Sequence, residues 1–495
     1  MKTHPCVTRR EFLQLTAAAA AMLGLAGCAG VAITAEPKLR PPRPIQSGAK
    51  IRIAGMGFNN KGFSDIRSFP DEEIVALCDV DWGLEKVRQT FAEFPRARRY
   101  KDFRKMLLEM DDQIDAVVVS TPDHMHFLPA YMAIAMGKHV FVQKPLTRTV
   151  WEARELRRLA EQNPKVCTQM GNQGHQMEGI RLVKEWIDAG VIGPIREVQI
   201  WTNRPIWPQG WTKRPVPEPI PAGLDWELFL GRAPERPYNI AYHPHDWRGW
   251  SEFGAGALGD MGCHTMDAAF YTLDLGDPIS IQAESPQPIG ESFPPWSVIA
   301  YEFPARGKMP PVKVTWSDGG KPPLRPKDME PGRALTKSGQ YYVGEKATIF
   351  DGQDYCNSPR IIPETKMREL QPGLPPKSIR RPDPLGNPYL AWTQAIRKGD
   401  PEWAGSHFAY STRLTEFVVL GNFALRAPGK KILWDGAKMA VSNMPELNQF
   451  LQPTFRAGWK PVELEKARRK GAEDLSLPTQ LRDGTPGYIK KNKKK

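Results

Sequence analysis

Cysteine is scarce in this sequence, which has 6 in 495 residues. Cys6 and Cys28 fall in the N-terminal segment, and the other four have neither the spacing of zinc ligands nor that of a disulfide framework. Long hydrophobic runs are scarce as well: the apolar stretch at residues 13–26 is too short, and too rich in alanine and glycine, to favour a membrane span. With 41% hydrophobic and 25% charged residues, the composition is that of a soluble globular protein.

Acidic residues are in deficit, with 55 against 68 basic residues and a formal net charge of +13. Part of the excess comes from the lysine-rich run at residues 490–495, and the rest is dispersed along the chain. Basic and aromatic residues do not interleave in the way that grips nucleic acid. The charge pattern therefore predicts no nucleic-acid partner.

The first 28 residues have the features of an export signal. Residues 8–13 (Thr-Arg-Arg-Glu-Phe-Leu) have the twin-arginine form, and the apolar stretch ends in Leu-Ala-Gly-Cys28, which resembles a bacterial lipobox. We expect export by the twin-arginine route to the periplasm, or a membrane-anchored lipoprotein whose only membrane contact is a lipid on Cys28. A plain signal peptide with an incidental Cys28 is the alternative. Because this route carries folded proteins, a cofactor can be loaded before export.

The length exceeds one ordinary core and predicts two folded domains. After the signal, residues 29–49 are rich in proline and arginine and are typical of a linker or extended arm. Residues 50–171 alternate between strand and helix patterns, and residues 172–460 alternate between strand-like pieces and long Pro/Gly/Trp-rich loops. We assign residues 461–495 to a basic tail.

The pattern in residues 50–171 predicts a doubly wound parallel sheet, because strands that alternate with helices join by right-handed crossovers. Gly137 is placed to end a helix, and Thr149 with Glu152 has the capping-box form that begins one. The predicted strands cover residues 51–55, 74–79, 114–120 and 139–142, and the predicted helices cover residues 127–136 and those after Thr149.

A glycine turn follows the first predicted strand and precedes a helix, as a Rossmann dinucleotide fingerprint requires. Gly55 permits the tight turn, and Gly57 lets the backbone approach a pyrophosphate. Asn60 stands where a third glycine is usual, and the next glycine is Gly62, which predicts a slightly expanded loop. The loop residues expected to line the cofactor are Gly55, Gly57, Phe58, Asn59 and Asn60.

Asp79 ends the second predicted strand, 22 residues after Gly57. A carboxylate there can accept hydrogen bonds from ribose hydroxyls and would repel a 2′-phosphate. The sequence therefore favours NAD over NADP.

Three further motifs closely resemble the Gfo/Idh/MocA oxidoreductase family of glucose–fructose oxidoreductase and inositol dehydrogenase. They are Ser-Thr-Pro-Asp-His-Met-His at residues 120–126, Gly-Lys-His-Val-Phe-Val-Gln-Lys-Pro-Leu-Thr at 137–147, and Gly-Asp-Met-Gly-Cys-His-Thr-Met-Asp at 259–267. The resemblance extends over nearly all of residues 50–460. It implies a Rossmann domain followed by an α+β substrate domain with an open, mostly antiparallel sheet, which is often used to form a homo-oligomer.

The resemblance also implies site residues. The Ser/Thr-Pro loop, here Ser120, Thr121 and His124, would lie along the cofactor, and Lys144 would lie beside the nicotinamide and the substrate. Gln143 stands where the family most often has glutamate, which removes a charge next to Lys144. A lysine near a cationic nicotinamide has its charged form disfavoured, so Lys144 could hydrogen-bond a reacting hydroxyl.

Asp260, His264 and Asp267 are spaced to share one face of a helix. His264 is the predicted acid/base because a histidine titrates near neutrality, and Asp260 is a second catalytic candidate. The aspartates could orient His264 or bind substrate hydroxyls. Other predicted substrate ligands are Asn172, His175, Trp247 and Arg248, and further tryptophans could wall the pocket: Trp201, Trp207, Trp211 and Trp250.

His124 and His126 lack carboxylate or cysteine partners, so no metal site is predicted. Three functions remain open. The first is hydride exchange between tightly bound NAD and a secondary hydroxyl or ketone of a sugar or glycoside. The second is a redox-neutral glycoside hydrolase or lyase, since some relatives cleave glycosidic bonds by transient oxidation and elimination. The third is a non-catalytic sugar-binding lipoprotein.

Overall fold

The computed structural model describes residues 36–382 and 385–470. The predicted signal with Cys28, and the lysine-rich end of the predicted tail, lie outside the described residues. Within those ranges, the helices are all too short or too polar to cross a membrane.

Six strands of the described chain form a parallel sheet in the order β3-β2-β1-β4-β5-β6. They are β1 (Arg52–Met56), β2 (Glu73–Cys78), β3 (Arg98–Tyr100), β4 (Ala116–Val119), β5 (His139–Val142) and β6 (Thr168–Met170). The strand order reverses between β1 and β4, and ligands bind outside the carboxyl ends of the strands at such a reversal. The predicted doubly wound sheet is confirmed.

Helices flank this sheet at α1 (Lys61–Asp65), α2 (Glu85–Glu93), α3 (Phe103–Glu109), α4 (Phe127–Ala135) and α5 (Val150–Gln162). The capping box of Thr149 and Glu152 at the start of α5 is present. Gly137 adopts a φ of 72° after α4, as the predicted left-handed cap requires.

In the second domain, nine strands within the described ranges form an open sheet in the order β13-β12-β11-β7-β10-β9-β8-β14-β15. Strands β7 and β10 are parallel and the other pairs are antiparallel, which confirms the predicted sheet type. The strands are β7 (Ile195–Trp201), β8 (Ser280–Glu284), β9 (Val298–Phe303), β10 (Val312–Ser317), β11 (Gly339–Gly344), β12 (Thr348–Asp351), β13 (Arg360–Ile362), β14 (Lys431–Asp435) and β15 (Ala440–Val441).

The remaining helices are α6 (Glu178–Asp188), α7 (Trp226–Leu230), α8 (Gly256–Thr265), α9 (Asp267–Thr272), α10 (Glu364–Leu370), α11 (Pro388–Lys398), α12 (Phe408–Ala424) and α13 (Pro461–Lys470). Helix α12 is buried over most of its surface and packs against α5, α8 and β8, so it joins the two domains through a shared core. Short 3₁₀ helices that carry site residues lie at Asp123–Met125, Gln173–Gln176 and Asp246–Gly249.

Both ends of the described residues pack on the Rossmann domain. Residues 36–43 pack on their own Rossmann domain, where the Arg40 amide donates to the carbonyl of Ala135 and Pro41 lies against Gly137. Residues 461–470 form α13, whose Leu464 is buried against α4, so the predicted basic tail begins too early. Pro461, Leu464 and Glu465 recur at helical spacing and are buried, whereas Lys466 and Arg469 are exposed.

Helix α11 packs on the Rossmann sheet, although its position in the sequence assigned it to the second domain. Trp392 is fully buried there and donates its indole N–H to the carbonyl of Cys167 at 3.0 Å. Tyr389 stacks on Phe141 of β5, with ring centres 4.9 Å apart. The Rossmann domain is therefore completed by residues from far along the chain.

Candidate active site

The glycine loop after β1 has the close approaches that its sequence predicts. Gly57 has a φ of 80°, and a Cβ on it would lie 2.7 Å from the carbonyl oxygen of Ser120. A Cβ on Gly62 would collide with the carbonyl oxygen of Gly57. Asn60 takes a φ of 48°, which fits the expanded loop. Gly62 therefore fills the close-packing position of the missing third glycine.

Asp79 lies at the carboxyl end of β2 and faces this loop. Its Oδ2 accepts the amide of Phe58 at 2.8 Å, and its Oδ1 accepts the amide of Asp81 at 2.9 Å. Burial raises the pKa of Asp79 to about 6, against the lowering by these two amides. Each carboxylate oxygen keeps a free acceptor position, so Asp79 can still receive hydroxyl donors.

Lys144 follows β5 and reaches helix α8. Its Nζ donates to the backbone oxygen of Asp260 at 2.7 Å and to Oδ1 of the same residue at 3.0 Å. Burial alone would raise the pKa of Asp260, but Lys144 and then Arg248 lower it to about 2. Asp260 is therefore ionised, and it fixes the position of the Lys144 ammonium.

His264 lies one turn further along α8. Burial and the nearby Lys144 lower its pKa well below 6.5, so the imidazole is neutral at pH 7 rather than titrating near it as the sequence suggested. Its Nδ1 is buried with no hydrogen-bond partner among the described residues. The ring of Tyr355 meets it edge to face at 4.9 Å.

These groups line a cavity of about 290 Å³ at the carboxyl edge of the Rossmann sheet. Its wall includes four buried polar atoms that have no protein partner within the described ranges: Thr121 Oγ1, Gln173 Oε1, His264 Nδ1 and Asp354 Oδ1. Buried polar groups cost free energy when they are left unpaired. The cavity is therefore suited to a ligand that carries several hydrogen-bonding groups.

The second domain supplies the far wall through a loop after β12. Asp351 accepts the amides of Gln353 at 2.9 Å and Ser358 at 2.7 Å, which fixes the course of the loop. A side chain on Gly179 would collide with the carbonyl of Cys356, so a glycine lets the first turn of α6 support the loop closely. Asp354 and Tyr355 thereby reach the cavity.

Two family profiles match the chain and together cover more than half of it. The profile described as "Oxidoreductase family, NAD-binding Rossmann fold" matches residues 49–171. The profile described as "Oxidoreductase family, C-terminal alpha/beta domain" matches residues 177–309. The chain belongs to the Gfo/Idh/MocA oxidoreductase family.

Curated relatives match a shorter part of the chain. A glycosyl hydrolase family 109 protein from Shewanella sp. (strain ANA-3) is 30% identical in an alignment of 207 residues, and the match covers 38% of this chain and 44% of the relative. An alpha-N-acetylgalactosaminidase from Shewanella oneidensis is 29% identical over the same length. The chain thus spans less than half the length of these relatives.

Solved structures of two dehydrogenase-type proteins share the fold at low identity. An inositol dehydrogenase homolog from Azotobacter vinelandii, complexed with NAD⁺, has a TM-score of 0.54 and 20% identity, covering 78% of this chain and 98% of its own. The WlbA dehydrogenase from Bordetella pertussis, complexed with NADH and UDP-GlcNAcA, has a TM-score of 0.52 and 18% identity, covering 78% and 99%.

NAD fits the residues at the Gfo/Idh/MocA cofactor position. The absence of a side chain at Gly57 leaves space that a Cβ would fill. Asp79 keeps acceptor positions for ribose hydroxyls, and Thr121 Oγ1 has no hydrogen-bond partner among the described residues. The Rossmann domain is thus an NAD-binding domain by its family profile and by its geometry.

Most of the predicted site residues lie on the cavity wall. They are Gly57, Phe58, Asn59, Asn60, Asp79, Ser120, Thr121, Gln143, Lys144, Trp247, Arg248, Asp260 and His264. Gly55 lies within β1 instead, where a side chain would press on Ile66. The cofactor and substrate roles of the wall residues remain predictions.

His124 is a correction to the predicted cofactor contacts. It is fully buried, its Nε2 lies 2.7 Å from the carbonyl oxygen of Phe229, and its ring packs against Phe229 and Phe253. It does not line the cavity, because the 3₁₀ turn at Asp123–Met125 directs it into the apolar cluster beneath the loop.

Asp267, Asn172 and His175 lie behind the cavity wall. Helix α8 ends at Thr265 and Asp267 begins α9, so Asp267 does not share one continuous helix with Asp260 and His264 as predicted. Its carboxylate receives Asn172 Nδ2 at 3.1 Å, His175 Nδ1 at 3.2 Å and the hydroxyl of Tyr410. These protein contacts occupy the three residues, and their role as substrate ligands stays a prediction.

Of the tryptophans predicted to wall the pocket, Trp247 lines the cavity and the other four do not. Trp201 and Trp250 are buried in separate apolar clusters, Trp211 lies against Trp250, and Trp207 packs near Arg248. The proline-rich loops use these rings for packing rather than for lining the cavity.

Several polar wall residues were missed from the sequence, among them Asp123, Gln173, Arg204, Asp354 and Tyr355. Asp123 stands inside the motif at residues 120–126, and Gln173 stands between the predicted ligands Asn172 and His175, so their positions gave a usable signal. Burial raises the pKa of Asp123 to about 7, against the lowering by Arg248 and Lys144. Arg204, Asp354 and Tyr355 lie in loops without a local pattern, and only the folded second sheet brings them to the cavity.

Histidine, cysteine and acidic side chains do not come together as a group of three or more suited to a metal ion in the part of the chain that the structure describes. The predicted absence of a metal stays a prediction.

Proposed function

We propose that this protein is an NAD-dependent oxidoreductase that interconverts a secondary hydroxyl and the matching ketone on a sugar or glycoside. The observation that carries the proposal is the arrangement of Lys144, Asp260 and His264 on the cavity that the dinucleotide loop also lines. A proton donor and a neutral proton acceptor are thus fixed beside the cofactor position.

When bound, NAD would supply the acceptor for the hydride of the carbinol carbon. Lys144, held by Asp260, donates a hydrogen bond to the substrate oxygen and stabilises the negative charge that develops on it. Neutral His264 accepts the hydroxyl proton, so one hydride and one proton leave and a ketone forms. In the reverse direction, His264 returns the proton to the oxygen.

The polar groups of the far wall would orient the substrate. Gln173 Oε1 and Asp354 Oδ1 are acceptors without partners among the described residues, and hydroxyl groups are suitable donors for them. Trp247 also lines the cavity, with the Arg248 guanidinium 4.3 Å from its ring centre. This combination supports a polyhydroxylated ring as the substrate.

A second candidate is a redox-neutral glycosidase, and the names of the glycosyl hydrolase family 109 relatives favour it. A ketone makes the neighbouring C–H acidic, so a base can remove that proton while the glycosidic oxygen leaves. Addition of water and return of the hydride would then complete the hydrolysis, with no net change in NAD. Lys144 and His264 can serve both reactions.

We further propose that the protein is exported with NAD already bound, which rests on the twin-arginine and lipobox patterns of residues 8–28. Bound NAD would let oxidised and reduced sugars exchange in turn where free NAD is scarce. Membrane attachment through Cys28 and assembly into a homo-oligomer belong to the same proposal.

The test begins with the mature protein recovered from a twin-arginine-competent host. After extensive dialysis, the protein is denatured and the released NAD and NADP are quantified; near-stoichiometric NAD is expected. The loaded protein is then given nitrophenyl glycosides and free sugars without added NAD. Net reduction of the bound nicotinamide supports the oxidoreductase, release of nitrophenol without net reduction supports the glycosidase, and the absence of both, together with absence of nucleotide binding, contradicts the proposal.

A further inference from the structure

Asp65, at the end of α1, is fully buried and accepts four side-chain donors. Its Oδ2 accepts the hydroxyl of Ser120 at 2.7 Å and Nε2 of Gln143 at 2.8 Å. Its Oδ1 accepts the hydroxyl of Tyr389 at 2.6 Å and Nζ of Lys61. A carboxylate has about four acceptor positions, and here all four are filled by protein groups.

The four donors come from separate parts of the chain. Lys61 begins the helix after the dinucleotide loop, Ser120 follows β4, Gln143 follows β5, and Tyr389 belongs to α11. Lys61, Ser120 and Gln143 also line the cavity, whereas Asp65 does not. Asp65 therefore joins the segments that form the cofactor side of the cavity without touching a ligand itself.

The contact with Gln143 fixes which way that amide points. Asp65 can only accept, so Nε2 of Gln143 faces Asp65. A Cβ on Gly171 would lie 2.7–2.8 Å from the amide atoms, so the amide is confined between Asp65 and Gly171. Gln143 Oε1 receives no hydrogen bond from the described residues and is left as an acceptor next to Lys144 on the cavity wall.

We propose that Asp65 is a positioning residue of the NAD site, which sets Gln143 as a hydrogen-bond acceptor toward the cofactor and holds Ser120 and Lys61 in register with it. The effect of Asp65 on turnover rests on the proposed function. The effect of Asp65 on NAD affinity depends only on the NAD-binding domain.

Exchanging the carboxylate of residue 65 with the amide of residue 143 tests the proposal directly. Asp65→Asn offers a donor toward the Gln143 amide, which must then rotate and present a donor to the cavity. Gln143→Glu places a second carboxylate about 2.8 Å from Asp65, where the two must share a proton. In D65N/Q143E, the donor and acceptor are exchanged and position 143 again presents an acceptor.

We expect each single variant to lower NAD affinity by about tenfold or more, because each leaves a buried group wrongly paired. The ratio of Q143E to wild-type affinity should rise as the pH falls from about 8 to about 6, since a shared proton relieves the repulsion. The double variant should recover to within about threefold of wild type. NAD affinity is measured by calorimetry or by quenching of tryptophan fluorescence, with melting temperatures in parallel.

Asp115→Asn is the matched control. Asp115 is another buried carboxylate, bonded to Nε and Nη2 of Arg52 at 2.9 and 2.7 Å, but it precedes β4 at the opposite edge of the sheet. Its variant should lower the melting temperature and leave NAD affinity unchanged.

Two results would overturn the proposal. One is a D65N variant that melts lower but binds NAD as tightly as wild type does. The other is a double variant whose loss of affinity equals the sum of the single losses. If D65N fails to fold, the pH dependence of the Q143E ratio decides, and a flat ratio contradicts the proposal. If the wild type turns over no sugar but the coupling between residues 65 and 143 in NAD affinity is observed, only the proposed function is contradicted.

Discussion

Lys144 contacts Asp260 twice, at the backbone oxygen and at Oδ1, so one residue of α8 fixes both the position and the direction of the ammonium. Two of its three N–H donors are engaged, which leaves the third for a ligand. The pair therefore converts a flexible side chain into an oriented donor beside His264.

Asp260→Asn should lower kcat/KM by about a hundredfold while leaving the NAD content unchanged, because Lys144 loses its charged anchor. Turnover of the identified substrate and nucleotide release on denaturation measure the two effects. Full activity in this variant would show that the backbone contact alone positions Lys144. Asp188→Asn, on the outer face of α6, is the control and should leave both values unchanged.

His264→Ala should lower kcat by about a hundred- to ten-thousandfold without a comparable change in NAD affinity, because the proton acceptor is removed while the dinucleotide loop stays intact. Stopped-flow measurement of nicotinamide reduction separates the chemical step from binding. If the rate of nicotinamide reduction is unchanged, another group on the cavity wall accepts the hydroxyl proton, and Asp123 is the first candidate.

NAD affinity should rise as the pH increases through about 6. Burial raises the pKa of Asp79 to that value, so the carboxyl is largely neutral below pH 6 and ionised above it. The ionised form accepts ribose hydroxyls more strongly. Titrations across this range check the dependence, and Asp79→Asn should flatten it; an equal slope in the variant would trace the pH dependence to another group.

Gly62→Ala should destabilise the dinucleotide loop and lower NAD affinity sharply, since its Cβ would collide with the carbonyl oxygen of Gly57. Gly276→Ala is the control, because Gly276 has open space around its Cβ position. Melting temperature and NAD titration should separate the two variants. A Gly62 variant that behaves like the control would mean that the loop can shift without cost.

Asp354→Asn should raise KM more than it lowers kcat, because we assign Asp354 to substrate orientation and not to the hydride or proton transfer. Gln353→Asn, at the exposed neighbouring position, should leave both constants near the wild-type values. Steady-state kinetics, with a sugar or glycoside that the loaded protein turns over, measure both constants.

The Rossmann half could be predicted from local pattern because each of its signals is short in sequence. Buried strands are continuous apolar runs, the capping box needs Thr149 and Glu152 alone, and Gly57 is required by the backbone turn. The helix boundary before Asp267 was missed, because spacing by threes and fours continues through a break at Met266.

The cavity wall could be predicted only in part, because its residues meet through tertiary contacts. Lys144 and His264 were found through motifs, whereas Arg204 and Asp354 have no local signal. His124 shows the reverse error: its place in a motif suggested a contact that the turn at Asp123–Met125 directs into the core instead. Asp65 was missed although α1 was expected, since its partner Tyr389 is more than three hundred residues away.

The two ends of the described residues meet beside α4. The Lys38 amide donates to Glu465 of α13, and Arg43 donates to the carbonyl of Ile114, just before β4 at the amino edge of the first sheet. A support or fusion partner joined before residue 36 therefore approaches this edge, and the protein can be immobilised there with its ligand entrance turned outward. Surface-bound protein should then be usable directly as a biosensor layer for its substrate.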